Sequence, residues 1–185
     1  MDRLEKIFNE KHITSGDINE HLPVLKKYSE ECDVIVELGV RKIVSTWAFL
    51  LGKPKKLISV DIKHPKEYNS TELPLVEEIS KEIGVDFNFI LSDSRTVDIP
   101  ECDLLFIDTL HTYNQIKKEL EVHANKVNKY IILHDTETFR TIGEVNGEVG
   151  IWLAVEEFLS TNLEWKIVEE LKNNNGLTVI KKIKN

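Results

Sequence analysis

Residues 33–39, Asp33-Val34-Ile35-Val36-Glu37-Leu38-Gly39, decide how this chain is read. The run is short, apolar and rich in β-branched side chains, and it stops at a glycine. That is the pattern of a buried strand followed by a turn. Upstream, Asp17-Ile18-Asn19-Glu20 has the spacing of a capping box and predicts a helix through about Ser29, with Leu22, Val24, Leu25 and Tyr28 as its apolar face. Downstream, Ser45 to Leu51 reads as a helix ended by Gly52-Lys53-Pro54. Strands are expected at Lys56–Asp61, Phe87–Leu91, Asp103–Asp108 and Lys129–Asp135. Helices are expected at Leu75–Ile83, stopped by Gly84, and from Thr112 to about Asn125. Apolar strands alternating with helices build an α/β, doubly wound, mostly parallel sheet covered on both faces.

The last third departs from that alternation. Ile151 to Leu159 is helical. Trp165–Glu169 and Leu177–Ile180 are strand-like and joined by Asn173-Asn174-Asn175-Gly176, a hairpin signal, so the sheet should finish antiparallel. Residues 136–150 are the least regular. With Gly143, Gly147 and Gly150 they read as a mobile lid loop beside the strand ends.

The 185 residues suit one domain, 1–185, with 1–31 as a helical N-terminal segment. Lys and Arg number 24 against 32 Asp and Glu, a net charge of −8, which disfavours nucleic-acid partners. No apolar run approaches the ~20 residues of a membrane span, and MDRLEKIFNEKH has no apolar signal-peptide core. Cys32 and Cys102 are the only cysteines and form no CxxC, which excludes a thiolate zinc site and fits a reducing compartment. The expectation is a cytoplasmic protein with a small-molecule partner, its state of oligomerisation open.

Glu37, Asp61, Asp108 and Asp135 fall at or near strand ends, and Asp93 lies two residues past Leu91. Ligands of open α/β sheets bind at that edge. Each acid alone has a second reading, as a cap for the helix or turn that follows. The turn after the first strand, Gly39-Val40-Arg41-Lys42-Ile43-Val44-Ser45, holds one glycine and so is neither a dinucleotide fingerprint nor a phosphate loop. A nucleoside without phosphates fits better. Asp61, 22 residues after Gly39, stands where a ribose-binding acid is expected, and Asp93 suits an adenine amino group. Glu37 either faces an ammonium or organises the turn.

Asp108 and His111, three residues apart in a strand-to-helix turn, can reach one pocket; the alternative is that His111 merely opens the next helix. An ordinary imidazole, with pKa near ~6.5, accepts a proton near neutrality. Asp135, beside the fourth strand, is placed to share a metal ion. Its neighbour His134 is either a ligand better suited to Mn²⁺, Fe²⁺ or Zn²⁺ than to Mg²⁺, or an inert side chain turned into the fold. His12, His64 and His123 lie in polar stretches and are expected at the surface. His21 is expected to cap or pack. Trp47 and Phe49 read as core, and Tyr113 and Trp152 as substrate contacts.

The stretch Val34–Leu51, VIVELGVRKIVSTWAFLL, resembles the first motif of class I S-adenosylmethionine-dependent methyltransferases. DLLFIDTLHTYNQIKKEL, residues 103–120, with YIILHDT, residues 130–136, resembles the small-molecule O-methyltransferases of the cephalosporin-hydroxylase-like, macrolide-sugar and rhamnosyl type. The resemblance implies a Rossmann-like, seven-stranded sheet with an antiparallel last strand. It implies that Glu37 and Gly39 line the methionine end of the cofactor, Asp61 holds the ribose, and Asp93 and Ser94 meet the adenine. It also implies Asp108 as a metal ligand, with Mg²⁺ or Mn²⁺, His111 as general base, and a sugar or glycoside as substrate. Ile43 stands where many members carry a second glycine; Ser45 and Thr46 offer compensating hydroxyls. Two rivals remain open: a non-catalytic nucleoside-binding protein of the same fold, and an NAD-dependent oxidoreductase.

Overall fold

The computed structural model describes residues 2–183; Met1, Lys184 and Asn185, the ends of the expected domain, lie outside them. Seven strands form one sheet: β1 (Val34–Leu38), β2 (Lys56–Asp61), β3 (Asp86–Leu91), β4 (Cys102–Ile107), β5 (Val127–His134), β6 (Trp165–Leu171) and β7 (Leu177–Lys182). Their order is β3-β2-β1-β4-β5-β7-β6. The first five are parallel, and β7 runs antiparallel to both β5 and β6. This is the expected Rossmann-like fold. The chain reverses its direction of travel between β1 and β4, so the crevice at their carboxyl ends is the switch point of the sheet.

The pleat sends alternate residues to two apolar layers. Ile35, Leu57, Leu104, Phe106 and Ile132 pack with Leu22, Leu25, Trp47 and Phe49 of α2 (Leu22–Ser29) and α3 (Ser45–Leu51). Val36, Leu38, Ile58, Leu105 and Ile131 pack on the other face with Ile116, Leu120 and Val155 of α5 (Tyr113–His123) and α6 (Trp152–Thr161). The first layer also takes Leu4 and Phe8 of α1 (Arg3–Thr14) and Val76 and Ile79 of α4 (Leu73–Ile83). Trp47 and Phe49 are buried core, as expected.

Four local expectations are corrected. Asp17 does not cap a helix: Ile18 takes a left-handed conformation (φ 59°), Asn19–His21 form one 3₁₀ turn, and α2 starts only at Leu22. A reciprocal capping box forms instead between Asp2 and Glu5. α4 starts at Leu73 because Pro74 fits the first turn of a helix. α5 is capped by the Thr112 side chain, which accepts from the Gln115 amide, and ends at His123. His123 is not at the surface but fully buried, its Nε2 2.6 Å from the Ser94 carbonyl oxygen. The ten residues between β3 and β4 contain no helix; Val97 and Ile99 fill the layer there.

Candidate active site at the carboxyl edge of the sheet

At the switch point β1 and β4 are drawn unusually close. Gly39 has φ +87°, and a Cβ there would lie 1.8 Å from the Asp108 carbonyl oxygen, so only glycine fits. Its amide donates to the Val60 carbonyl (2.9 Å), while the Asp108 amide donates to Leu38 (2.8 Å). Beyond Gly39, Arg41 (φ 48°) and Ile43 (φ 62°) are left-handed as well, and Ile43 is fully buried.

Asp61, at the end of β2, braces this turn. One carboxylate oxygen accepts the Val40 and Arg41 amides at 2.8 Å each, and the other accepts the Lys63 amide at 2.9 Å. Glu37 shares its strand face with Ile35 and is completely buried beneath the same turn. The hydroxyls of Ser45, Thr46 and Ser59 all donate to it. Burial pushes its carboxyl up to about 7, against the pull of those three hydroxyls. Glu37, Ser45 and Thr46 therefore bond to one another and lock the start of α3.

Beyond β3, Asp93 holds Arg95 through both carboxylate oxygens and accepts its amide. Ser94 turns inward and donates to the buried Glu119, which also accepts from Gln115 and Thr109. Burial raises the Glu119 carboxyl to about 6 in spite of these donors. Asp93 is thus at the rim and Ser94 beneath it. Ile62 and Leu91, 63% and 59% exposed, flank Asp61 and present an apolar surface that the residue pattern did not announce.

The second half of the site forms where β4, β5 and the following loops meet. His111 Nε2 lies 2.9 Å from Asp135 and 3.2 Å from Asp108; Nδ1 lies 2.9 Å from Glu144. The ring stacks on Phe139, centroids 4.9 Å apart and planes within 3°. Carboxylates only accept, so both ring nitrogens must donate and the ring carries charge. Burial opposes that charge, but Asp108 and Asp135 outweigh it and lift His111 to about 10. The ordinary pKa near 6.5 expected from sequence is corrected by this crowding. Asp108 and Asp135, which burial would protonate, are held below the usual carboxylate range by His111 and His134.

His134 follows Ile132 on the face toward α2 and is fully buried. Its Nε2 lies 3.1 Å from the Asn174 carbonyl oxygen, and its Nδ1 lies 3.3 Å from Asp135 and 3.6 Å from Asp108. Burial lowers its pKa, yet the same two aspartates raise it to about 10. Asp108, His111 and Asp135 offer ligand atoms within 4.8 Å of one another, a mixed oxygen and nitrogen donor set that fits a divalent cation. Glu144 and Phe139 were not legible, because both reach His111 from residues 136–150. That segment is folded onto the site: the Glu144 amide donates to His111, Tyr113 to Val149, Gly150 to Thr141, and Ile151 to Phe139. Tyr113 pairs with Glu157 and Lys117, and Trp152 carries Arg140 over its ring at 3.6 Å.

A cleft of about 620 Å³ runs between α5 and α6 past Leu120, Ala124, Phe158 and Trp165. It opens at the amino end of β6, the edge opposite the acidic cluster. Among the described residues no helix is long and apolar enough to cross a membrane.

No family model matches the chain, and no curated protein matches it. Solved structures do. The chain is similar to an O-methyltransferase from Bacillus cereus in complex with SAH, at 13% identity, covering 98% of this chain and 90% of that one, TM-score 0.63. It is similar to the O-methyltransferase TomG from Streptomyces achromogenes, involved in tomaymycin synthesis and in complex with SAM, at 11% identity, 100% and 91% coverage, TM-score 0.64. It is also similar to the SAH-bound methyltransferase PaMTH1 from Podospora anserina, at 14% identity, 100% and 89% coverage, TM-score 0.61. At these identities the likeness is one of fold.

Proposed function

We propose that the protein is an S-adenosylmethionine-dependent O-methyltransferase acting on a small hydroxylated molecule, with a sugar or glycoside as substrate class. The observation that carries the reading is the juxtaposition at the switch point. A glycine turn braced by Asp61 lies beside a cluster of Asp108, His111 and Asp135. The cofactor supplies an electrophilic methyl carbon on a sulfonium. Asp61 holds the ribose with the lone pairs left over from the turn amides, and Ile62 and Leu91 face the adenine, with Asp93 and Ser94 at its edge. Glu37, Ser45 and Thr46 act from beneath by fixing the turn around Gly39 at the methionine end. Solved structures of this fold that hold SAM or SAH support the choice of cofactor. The sugar rests on the sequence resemblance.

Methyl transfer from a sulfonium needs an aligned nucleophile and no water. Asp108, Asp135 and the Nδ1 of His134 would hold a divalent ion, which would lower the pKa of a substrate hydroxyl. His111 takes the hydroxyl proton at Nε2, once that nitrogen has lost its own, while Glu144 and Phe139 fix the ring. Residues 136–150 close over the substrate. Calorimetric titration of S-adenosylmethionine and its demethylated product tests the reading. Micromolar binding is expected, weakened about tenfold or more in Asp61→Ala, the loss of a charge-assisted hydrogen bond (~1.5–3 kcal/mol). A folded Asp61→Ala protein with unchanged affinity overturns the assignment.

A further inference from the structure

We infer that Glu119 is a positioning residue that couples the two halves of the crevice, holding the loop after β3 and the turn that carries Asp108 and His111 on one carboxylate. What this coupling does for a ligand rests on the cofactor reading above; the coupling itself does not. Gln115, Glu119 and His123 stand four residues apart on α5, so they share one face of the helix. All three are buried, Glu119 and His123 completely. They converge on Ser94. Its hydroxyl donates to one Glu119 oxygen at 2.5 Å and accepts from Gln115 Nε2 at 3.1 Å, while His123 Nε2 donates to the Ser94 carbonyl at 2.6 Å. Gln115 Nε2 also donates to that Glu119 oxygen at 2.7 Å. The other Glu119 oxygen accepts the Thr109 hydroxyl at 2.9 Å.

Packing does not require this network. Ile116 and Leu120 already dock α5 on the sheet. A buried carboxylate is a weak source of stability, and apolar side chains of like volume commonly serve as well. What the polar face of α5 adds is location. The ten residues between β3 and β4 form no helix, and Ser94 is held instead by α5.

Thr109 carries the connection onward. It follows Asp108, whose amide is bonded to β1 and whose carbonyl oxygen closes on Gly39, and it stands two residues before His111. A carboxylate only accepts, so the Ser94 and Thr109 hydroxyls must both aim their hydrogens at Glu119, which fixes the two segments relative to each other. A displacement of Ser94 therefore reaches the Asp108–His111 turn through the two oxygens of one side chain.

Each half is read from a substitution in the other. Amide exchange is followed in the full-length protein, and affinity for the demethylated product of S-adenosylmethionine by calorimetry. Thr109→Val removes the hydroxyl on the side of His111. Exchange in 92–96 should quicken severalfold, and product affinity should fall about three- to tenfold, the usual size of a coupling carried through side chains. Thr109→Ser, which keeps the hydroxyl, should restore both. Ser94→Ala should quicken exchange in 109–112. In a Glu119→Ala background neither substitution should change the far segment further. Should that background fail to fold by circular dichroism, the contrast between Thr109→Val and Thr109→Ser decides. Substitutions that each disturb only their own segment overturn the inference, as does a Thr109→Ser protein no better than Thr109→Val. A wild-type protein that binds no product overturns the cofactor reading alone, and exchange then decides the coupling.

Discussion

At the scale of single residues, the turn around Gly39 concentrates the backbone cost of the site. Ile43 is left-handed at φ 62° and fully buried, so two effects oppose each other there. A left-handed L-residue costs roughly 1–2 kcal/mol, and a β-branched side chain makes this worse. Burying the isoleucine more than offsets it, since truncating a buried Ile to Ala costs about 2–5 kcal/mol. At ordinary positions glycine is less stable than alanine by roughly 0.5–1 kcal/mol. Here the order should invert. Both variants lose the packing, but only glycine sheds the strain, so Ile43→Gly should unfold at higher urea than Ile43→Ala, by about 1 kcal/mol. The usual order in the two urea midpoints would show that the turn is not strained. The sequence named Ile43 as a departure from a glycine position, but not that its backbone kept the glycine conformation.

At the scale of elements, residues 136–150 and the hairpin turn are the parts that loops, not strands, must place. Glu144 ties the segment to His111 through its side chain, which meets Nδ1 and accepts the His111 amide, and through its own amide, which donates to the His111 carbonyl. Gly150 is pressed against Phe139, where a Cβ would lie 2.3 Å from a carbonyl oxygen. Glu144→Gln should weaken the first tie without touching the core. Amide exchange in 141–150 should quicken severalfold while β4 and β5 stay protected, and unchanged exchange would show that the charge plays no part in docking. These contacts explain which elements the sequence disclosed. Strands buried on both faces announce themselves as apolar runs, and Asn175-Gly176 announces a hairpin. Strand ends then bring Asp61, Asp108 and Asp135 to one edge by topology alone. Asp17 and Glu20 had capping spacing but no helix between them, because the left-handed Ile18 breaks the path. His123 looked polar and exposed because its burial depends on where the chain after β3 runs. Glu144 and Phe139 stand in an irregular segment whose approach to His111 no periodicity encodes.

At the scale of the whole molecule, an acidic chain has gathered carboxylates from distant segments at one edge and balanced them with two histidines. His111 and His134 are lifted to about 10 in the folded state, against an ordinary value near ~6.5. The folded protein therefore binds more protons than the unfolded chain between those values. Their contribution to stability is complete below pH ~6.5 and disappears as the pH rises through 10. Asp108 and Asp135, depressed by the same contacts, lose theirs as the pH falls below ~3.9. Glu37 adds its own decline between its ordinary value and about 7, so readings above pH 7.5 are free of it. The buried Cys32 and Cys102 thiols, pushed up to about 12, add a decline of the same sign above the ordinary thiol value. With chelator present, the free energy of unfolding should drop by about 2–4 kcal/mol between pH 7.5 and 9.5, since each fully coupled proton is worth 1.36 kcal/mol per pH unit. His111→Gln should flatten that slope, and the difference between the two proteins removes the titration of unfolded cysteines and tyrosines from the comparison. Saturating Mn²⁺ should flatten it as well, because a divalent ion supplies the positive charge that the imidazolium rings otherwise provide, and should raise stability in proportion to its binding. A wild-type profile in chelator no steeper than that of His111→Gln would mean that the carboxylates are balanced without the imidazolium, and that His111 is already neutral and able to accept a proton near pH 7.5.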